Sequence, residues 1–306
     1  MSTLSQVAGE LENEPEPVDV DDEPKGGRRY TGYLLIIPGL LWLGLFFLIP
    51  FYSLVATSLY DPGGTVFSGY EMTWEWSNYT TAVTENWQPL VRSFVFGGLA
   101  TIFCLLLGYP LAYAIAFKAG RWKNLMLVLV IAPFFTSFLI RTISWQLILA
   151  DNGFVVDTLQ TLHILGPDGR LLNTPIAVVT GLTYNFLPFM VLPLYASLER
   201  IDHRLIEAAG DLYASPIRGF AKVTLPLSMP GVVAGTLLTF IPAAGDFINA
   251  ELLGRPSDSM IGNVIQQYFG GGNNYPDAAA LSIVLMALIL VMVIFYVRRA
   301  GTEDLV

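Results

Sequence analysis

Residues 33–59 read YLLIIPGLLWLGLFFLIPFYSLVATSL, 27 positions without a single Asp, Glu, Lys or Arg. A helix needs about 20 predominantly apolar residues to cross the roughly 30 Å hydrocarbon core of a bilayer, so this stretch is long enough to span one. Working outward, the charge map repeats the signal. Uncharged gaps separate Arg92 from Lys118, Lys123 from Arg141, Arg170 from Glu199, Lys222 from Asp246 and Asp277 from Arg298. The gap after Lys123 continues past Arg141 to Ala150. Six spans are therefore expected, at about residues 33–59, 93–117, 124–149, 174–198, 229–250 and 278–297. The chain reads as an all-α membrane protein. A soluble alternative would need six buried helices with almost no polar face, more than one 306-residue domain can surround with amphipathic partners.

Composition agrees with that reading and then divides. Hydrophobic residues make up 54% of the chain and charged ones 13%, and the mean hydropathy is +0.56, which excludes an ordinary soluble enzyme. The net charge of -9 belongs mostly to one end. Glu10, Glu12, Glu14, Glu16, Asp19, Asp21, Asp22 and Glu23 lie in the first 24 residues, where there is no Lys or Arg. Of the 25 acids, the other 17 face 16 bases, so the body is nearly neutral. Residues 1–29 are expected to form a disordered cytoplasmic tail, because so few apolar groups cannot offset the entropy of ordering. The run lacks the basic start and short apolar core of a cleavable secretory signal. The single cysteine, Cys104, sits in an apolar run and is expected to face lipid or a neighbouring helix.

Orientation follows from the bases in the connecting loops. With the N-terminus on one side, that side carries Lys25, Arg28, Arg29, Lys118, Arg121, Lys123, Arg200, Arg204, Arg218, Lys222, Arg298 and Arg299, and the opposite side only Arg92, Arg141, Arg170 and Arg255. Both termini are expected in the cytoplasm, leaving residues 300–306 as a short cytoplasmic tail. Tyr70, Trp74, Trp76, Tyr79 and Trp87 then fall in an external loop, at the headgroup level or against an external partner. Prolines in or beside the spans, among them Pro38, Pro110, Pro133, Pro188, Pro193 and Pro242, free backbone carbonyls that only neighbouring helices or a wet cavity can satisfy. A packed bundle with a pathway fits this better than a lipid-exposed anchor.

The largest cytoplasmic loop, 199–227, lies between the fourth and fifth spans. With its flanks it reads LERIDHRLIEAAGDLYASPIRGFAKVTLPLS, residues 198–228. A helix is expected from Asp202 to Leu212, with Asp202 as its cap and His203, Arg204, Glu207 and Asp211 largely on one side. By composition alone, such a helix rests either on a partner protein or on the membrane surface. Glu207-Ala208-Ala209 followed by Ile217, Val223 and Leu225-Pro226 resembles the E-A-A loop of permease subunits from binding-protein-dependent ABC importers, and the interval from Glu207 to Pro226 is that family's interval. The resemblance covers about residues 30–300. One departure stands out, since Tyr213 occupies the place of the family's glycine.

What the resemblance implies is a type I ABC importer permease-like bundle in a bacterial plasma (inner) membrane. Its loop would seat in a groove of a separate ATPase, with Glu207, Ala208, Ala209 and Asp211 at the contact and Ser215 and Pro216 behind it. The implied partners are two ABC ATPase subunits, a homologous second permease subunit in a heterodimer, an extracytoplasmic solute-binding protein and membrane lipid. No cofactor and no nucleic acid is implied. Residues 185–202, 225–235 and 245–269 are most similar to the polyamine (spermidine/putrescine) permeases of that family, while sugar, iron, sulfate and phosphonate importers share the loop. An ion-coupled secondary transporter is the reading from another class, and inverted repeats with ATP-independent uptake would distinguish it.

The chain has no Gly-Lys dipeptide and hence no phosphate-binding loop, so it is expected to be a transport subunit rather than an ATPase. Asp246 is the acid deepest in an apolar segment, and it either faces a substrate pathway or serves as an interfacial or Arg-paired acid. Glu251, Tyr184 and Asn185 are further pathway candidates, although a polar residue beside Pro188 also suits a freed carbonyl. His163 and His203 have no second His or Cys at ligand spacing, so no metal site is expected.

Overall fold

The computed structural model describes residues 28–65, 68–166, 168–271 and 274–300. The expected acidic tail lies outside these residues except for Arg28 and Arg29, and the expected C-terminal tail except for Ala300. Among the described residues the regular elements are all helical, and the extended backbone makes only two isolated bridges, Tyr60 with Met72 and Thr65 with Gly69.

The chain divides into two compact units between Ser53 and Leu54. The first holds α1 (Arg28–Leu43), a π-helical turn, Gly44–Leu48, and the start of α2 (Ile49–Thr57), which the boundary divides. Its side chains from Leu34 to Tyr52 are almost all exposed and apolar, as suits a helix whose solvent is lipid.

The second unit holds the remaining helices. α3 (Ser77–Tyr113) begins well before the uncharged gap that predicts it, because Glu85 and Arg92 lie on its outer turns. It kinks at Asn86, three residues before Pro89, whose missing N–H and bulky ring interrupt the turn. The third expected span, 124–149, is not one rod. A 3-10 turn and α4 (Lys123–Ile131) lead to Phe135, and α5 (Phe138–Ile148) leaves at 95°. Thr136 and Ser137 between them are extended, and the Thr136 hydroxyl donates to the Pro133 carbonyl at 2.7 Å, satisfying one group freed by the break. After α6 (Phe154–Thr161) comes α7 (Pro175–Glu199), an uninterrupted 25-residue helix.

The loop helices are α8 (His203–Asp211), α9 (Pro216–Gly219) and the single turn α10 (Leu225–Leu227), followed by α11 (Met229–Ala244). The expected fifth span, 229–250, is shorter than its uncharged run suggests. It stops at Ala244, and α12 (Ile248–Leu253) starts anew once the Asp246 carboxylate accepts the Asn249 N–H at 2.8 Å. α13 (Ile261–Gly270) and α14 (Tyr275–Ala300) complete the chain. Four helices are long and apolar enough to cross a membrane, or six if each of the two bent pairs counts as one span.

α3, α7 and α11 form the core, with Ala100, Cys104, Leu182, Met190, Leu194 and Ala243 fully buried among them. Small residues allow the close crossing: a Cβ on Gly231 would lie 2.5 Å from that of Ser197 and 2.8 Å from the Pro193 carbonyl. Cys104 faces a helix, donating to the Thr183 carbonyl at 3.3 Å. Lys123 and Glu199 form a salt bridge that joins the start of α4 to the end of α7.

Candidate functional site

The loop helix is built as its sequence requires. Asp202 accepts the Arg204 N–H at 2.9 Å and so caps α8, satisfying one donor that has no helical partner. At the other end the Tyr213 N–H donates to the Gly210 carbonyl at 2.9 Å and the Ala214 N–H to the Ala209 carbonyl at 3.0 Å. This nested pair is the Schellman ending, which places one residue in the left-handed region. That residue is Tyr213, at φ 57°. The turn that glycine makes without strain is thus made here by a tyrosine, whose side chain is 97% exposed.

Of the four residues expected at the ATPase contact, Glu207, Ala208 and Asp211 are exposed and Ala209 is half-buried near Gly219, and Ser215 and Pro216, expected behind it, are exposed as well. Leu212 and Ile217 are exposed beside them. Other residues of the loop anchor it. Ile206 packs on the main core, the His203 ring meets the Phe117 ring edge-on at 5.2 Å, and Phe220 meets Tyr109 and Tyr113 at 5.5 and 6.2 Å. The Tyr109 hydroxyl is also 2.7 Å from that of Ser228. These ring contacts join the loop to the end of α3 and to the turn that follows it. The rings were not singled out in the sequence, where their i, i+4 spacing (Tyr109, Tyr113, Phe117) is the available signal.

Within the apolar layer, the structure separates the four pathway candidates. Asp246 is buried and its Oδ1 accepts both the backbone N–H and the side-chain amide of Asn249, the latter at 3.1 Å. The Asn249 Oδ1 accepts from Asn185, whose amide also lies 3.2 Å from the Thr142 hydroxyl. Asp246, Asn249, Asn185 and Thr142 thus form one buried chain linking α5, α7 and the α11–α12 turn. Gly181 makes room for it, since a Cβ there would sit 2.7 Å from the Asn249 Oδ1.

Tyr184 points elsewhere, as adjacent residues on a helix must. It meets Trp145 edge-on at 5.4 Å and lines a cavity of about 320 Å³ with Thr136, Arg141 and Ser144. Glu251 is exposed and lines a different cavity, of about 570 Å³, with Arg255, Asn263, Gln266 and Gln267. Asn249, Thr142 and Arg141 are the polar members that the sequence reading missed as site residues. Arg141 had entered it only as an external-side charge, and an Asn or Thr inside an apolar run carries no distinguishing signal. Among the described residues no three His, Cys, Asp or Glu side chains come together to hold a metal ion.

Comparison with known proteins adds four findings. The model of the family described as binding-protein-dependent transport system inner membrane component matches residues 105–300. The spermidine/putrescine transport system permease protein PotB of Haemophilus influenzae is 41% identical over 258 residues, covering 84% of this chain and 90% of that protein. PotB of Escherichia coli is 37% identical over 267 residues, covering 87% and 96%. Among solved structures, a chain of the bacterial alginate ABC transporter in complex with an alginate pentasaccharide-bound periplasmic protein superposes with a TM-score of 0.71 at 17% identity, covering 90% of this chain and 96% of that one. At that identity it speaks for the fold alone.

Proposed function

The chain belongs to the family of binding-protein-dependent transport system inner membrane components, and from that premise we propose that it forms half of the translocation pathway of an ATP-driven importer for polyamines. It is a multi-pass inner-membrane permease subunit, and ATP hydrolysis resides on a separate chain. We read the bent helix pairs as one span each, giving six spans with both termini in the cytoplasm, in keeping with the bias of the bases toward that side. The partners are two ATPase subunits, a homologous second permease and an external solute-binding protein.

The observation that carries this reading is the loop helix: capped at Asp202, closed at Tyr213, held by the His203 ring and by Ile206, and exposed at Glu207, Ala208 and Asp211. A bare helix held rigidly against a span end is what an ATPase needs in order to push on the bundle. When the ATPase dimer closes on ATP, each subunit draws its loop along, and the ring contacts pass the movement to α3. The cargo assignment rests on the identity to polyamine permeases over most of both chains.

Proteoliposomes holding the two permeases and two ATPases test the proposal. Spermidine or putrescine uptake should require both ATP and the loaded binding protein. Uptake driven by an ion gradient without ATP would overturn the importer reading, and ATPase stimulation by a sugar-loaded binding protein alone would overturn the cargo.

A further inference from the structure

Glu251 lies on α12, just after α11, and lines the cavity of about 570 Å³ that α12 shares with α13. Asn263, Gln266, Gln267 and Gly270 line it from α13. The two helices are fastened to each other and not merely adjacent. The Asn263 side chain donates to the Phe247 carbonyl at 2.8 Å and accepts the Met260 N–H at 3.0 Å, and a Cβ on Gly262 would lie 2.7 Å from the Gly245 carbonyl oxygen. α3 holds the start of α13 as well. Arg92 donates to the Ser259 carbonyl at 2.7 Å, and the Ser93 hydroxyl accepts the Ile261 N–H at 2.8 Å. The bundle itself thus fixes the walls of the cavity.

The charge in this cavity is one-sided. Its charged lining residues are Glu251 and Arg255. The Arg255 guanidinium is balanced by Asp258, a buried residue whose carboxylate accepts both its Nε–H, at 3.2 Å, and its backbone N–H, at 3.3 Å. None of the described salt bridges involves Glu251. Gln266 and Gln267 are exposed, and each brings a carbonyl oxygen that can accept a hydrogen bond. Gly270 and Gly271 lie at the C-terminal end of α13, where the last carbonyls carry the negative end of the helix dipole. An unbalanced carboxylate, two carboxamides and a helix C-terminus all favour a cation that donates hydrogen bonds.

The number of acids selects the kind of cation. Calcium takes about six to eight oxygen ligands, several of them carboxylate, and Glu251 supplies one carboxylate here. A primary ammonium has a single charge and three donors, which one carboxylate and flanking carboxamide oxygens can satisfy. We propose that Glu251, with Gln266 and Gln267, receives one ammonium group of the polyamine as it enters the permease from the external side. The proposal rests on the polyamine-importer reading above and gives that cargo a point of contact on this chain.

The complex of both permeases and both ATPases in nanodiscs, without the binding protein, tests this. Gly270→Cys places a thiol in the cavity, where a Cβ meets nothing closer than the Gln266 amide at 4.0 Å, while the native Cys104 is fully buried. Spermidine at several times a millimolar dissociation constant should slow alkylation of that thiol by a neutral maleimide about fivefold, and sodium chloride of equal ionic strength should not. Adding Glu251→Gln should abolish the protection. Glu251→Asp keeps the charge and should retain part of it, which guards against a folding defect in Glu251→Gln. No protection by spermidine, protection that survives Glu251→Gln, or equal protection by sodium chloride would overturn the proposal. So would protection by the spermidine-free binding protein with none by spermidine, since that assigns Glu251 to a protein contact. ATP-dependent spermidine uptake by the wild-type complex checks the importer reading separately.

Discussion

The Tyr213 amide reaches back 2.9 Å to the Gly210 carbonyl while Tyr213 itself holds φ 57°, so the loop helix is closed by a residue whose Cβ disfavours the conformation it adopts. The strain of a non-glycine residue there is about 1 to 2 kcal/mol. Tyr213→Gly should relieve it, leave ATP-dependent uptake intact and raise the protection of the α8 amides in hydrogen exchange. Tyr213→Val adds a β-branch to the same backbone and should lower both. Equal protection in the two variants would mean that the turn is not set locally.

The exposed face of α8 should be intolerant of bulk. Ala208→Trp places an indole where a groove wall must approach, and Glu207→Ala removes a charge from the same face. Either should abolish uptake while the permease still inserts, which membrane fractionation alongside transport assays will read. Normal uptake in both would detach α8 from the ATPase.

Removing Asn249 should destabilise the bundle more than its size suggests. Asn249→Leu removes the side-chain amide that donates to the Asp246 carboxylate and one of the two acceptors of the Asn185 amide. Each stranded buried group costs about 1 to 3 kcal/mol, so the detergent-solubilised complex should melt several degrees lower. The backbone N–H at 249 can still reach Asp246, so the lower end of the range is expected there. An unchanged melting temperature would show that the chain of amides is not structural.

Gly231→Leu should prevent α11 from docking on α7. Even a methyl group would meet Ser197 and the Pro193 carbonyl well inside contact distance. Overpacking of this kind costs about 1 to 3 kcal/mol, and more where backbone is the obstacle. Accumulation of folded permease, read by fluorescence size-exclusion chromatography, should fall, and Gly231→Ala should lie between the two. Wild-type levels for Gly231→Leu would mean that the helices cross elsewhere.

The uncharged gaps located every long apolar helix because charge is excluded from hydrocarbon whatever the tertiary packing. They misjudged the ends. α3 starts at Ser77, since a helix continues past the bilayer edge without regard to Glu85 or Arg92, and α11 stops at Ala244 because Asp246 caps the next helix. The break at Thr136 and Ser137 was not legible, as neither residue is a strong helix breaker and the turn depends on what packs around it. The loop was read almost to the residue, since capping and turn chemistry are local: Asp202 to Leu212 expected, His203 to Asp211 found. The buried chain from Asp246 to Thr142 was half seen. Its acid is conspicuous in an apolar run, but its connecting amides depend on three elements converging.

The 95° turn between Phe135 and Phe138 gives the third span a mechanical character unlike that of its neighbours. A straight helix pushed at one end delivers the push at the other. A right-angled one cannot, and an axial thrust on α4 emerges as a sideways swing of α5. Both arms are fastened to α7, the near one by Lys123 and Glu199 and the far one through Thr142 and Asn185, so the crank can move only by opening or closing the angle at Thr136 and Ser137.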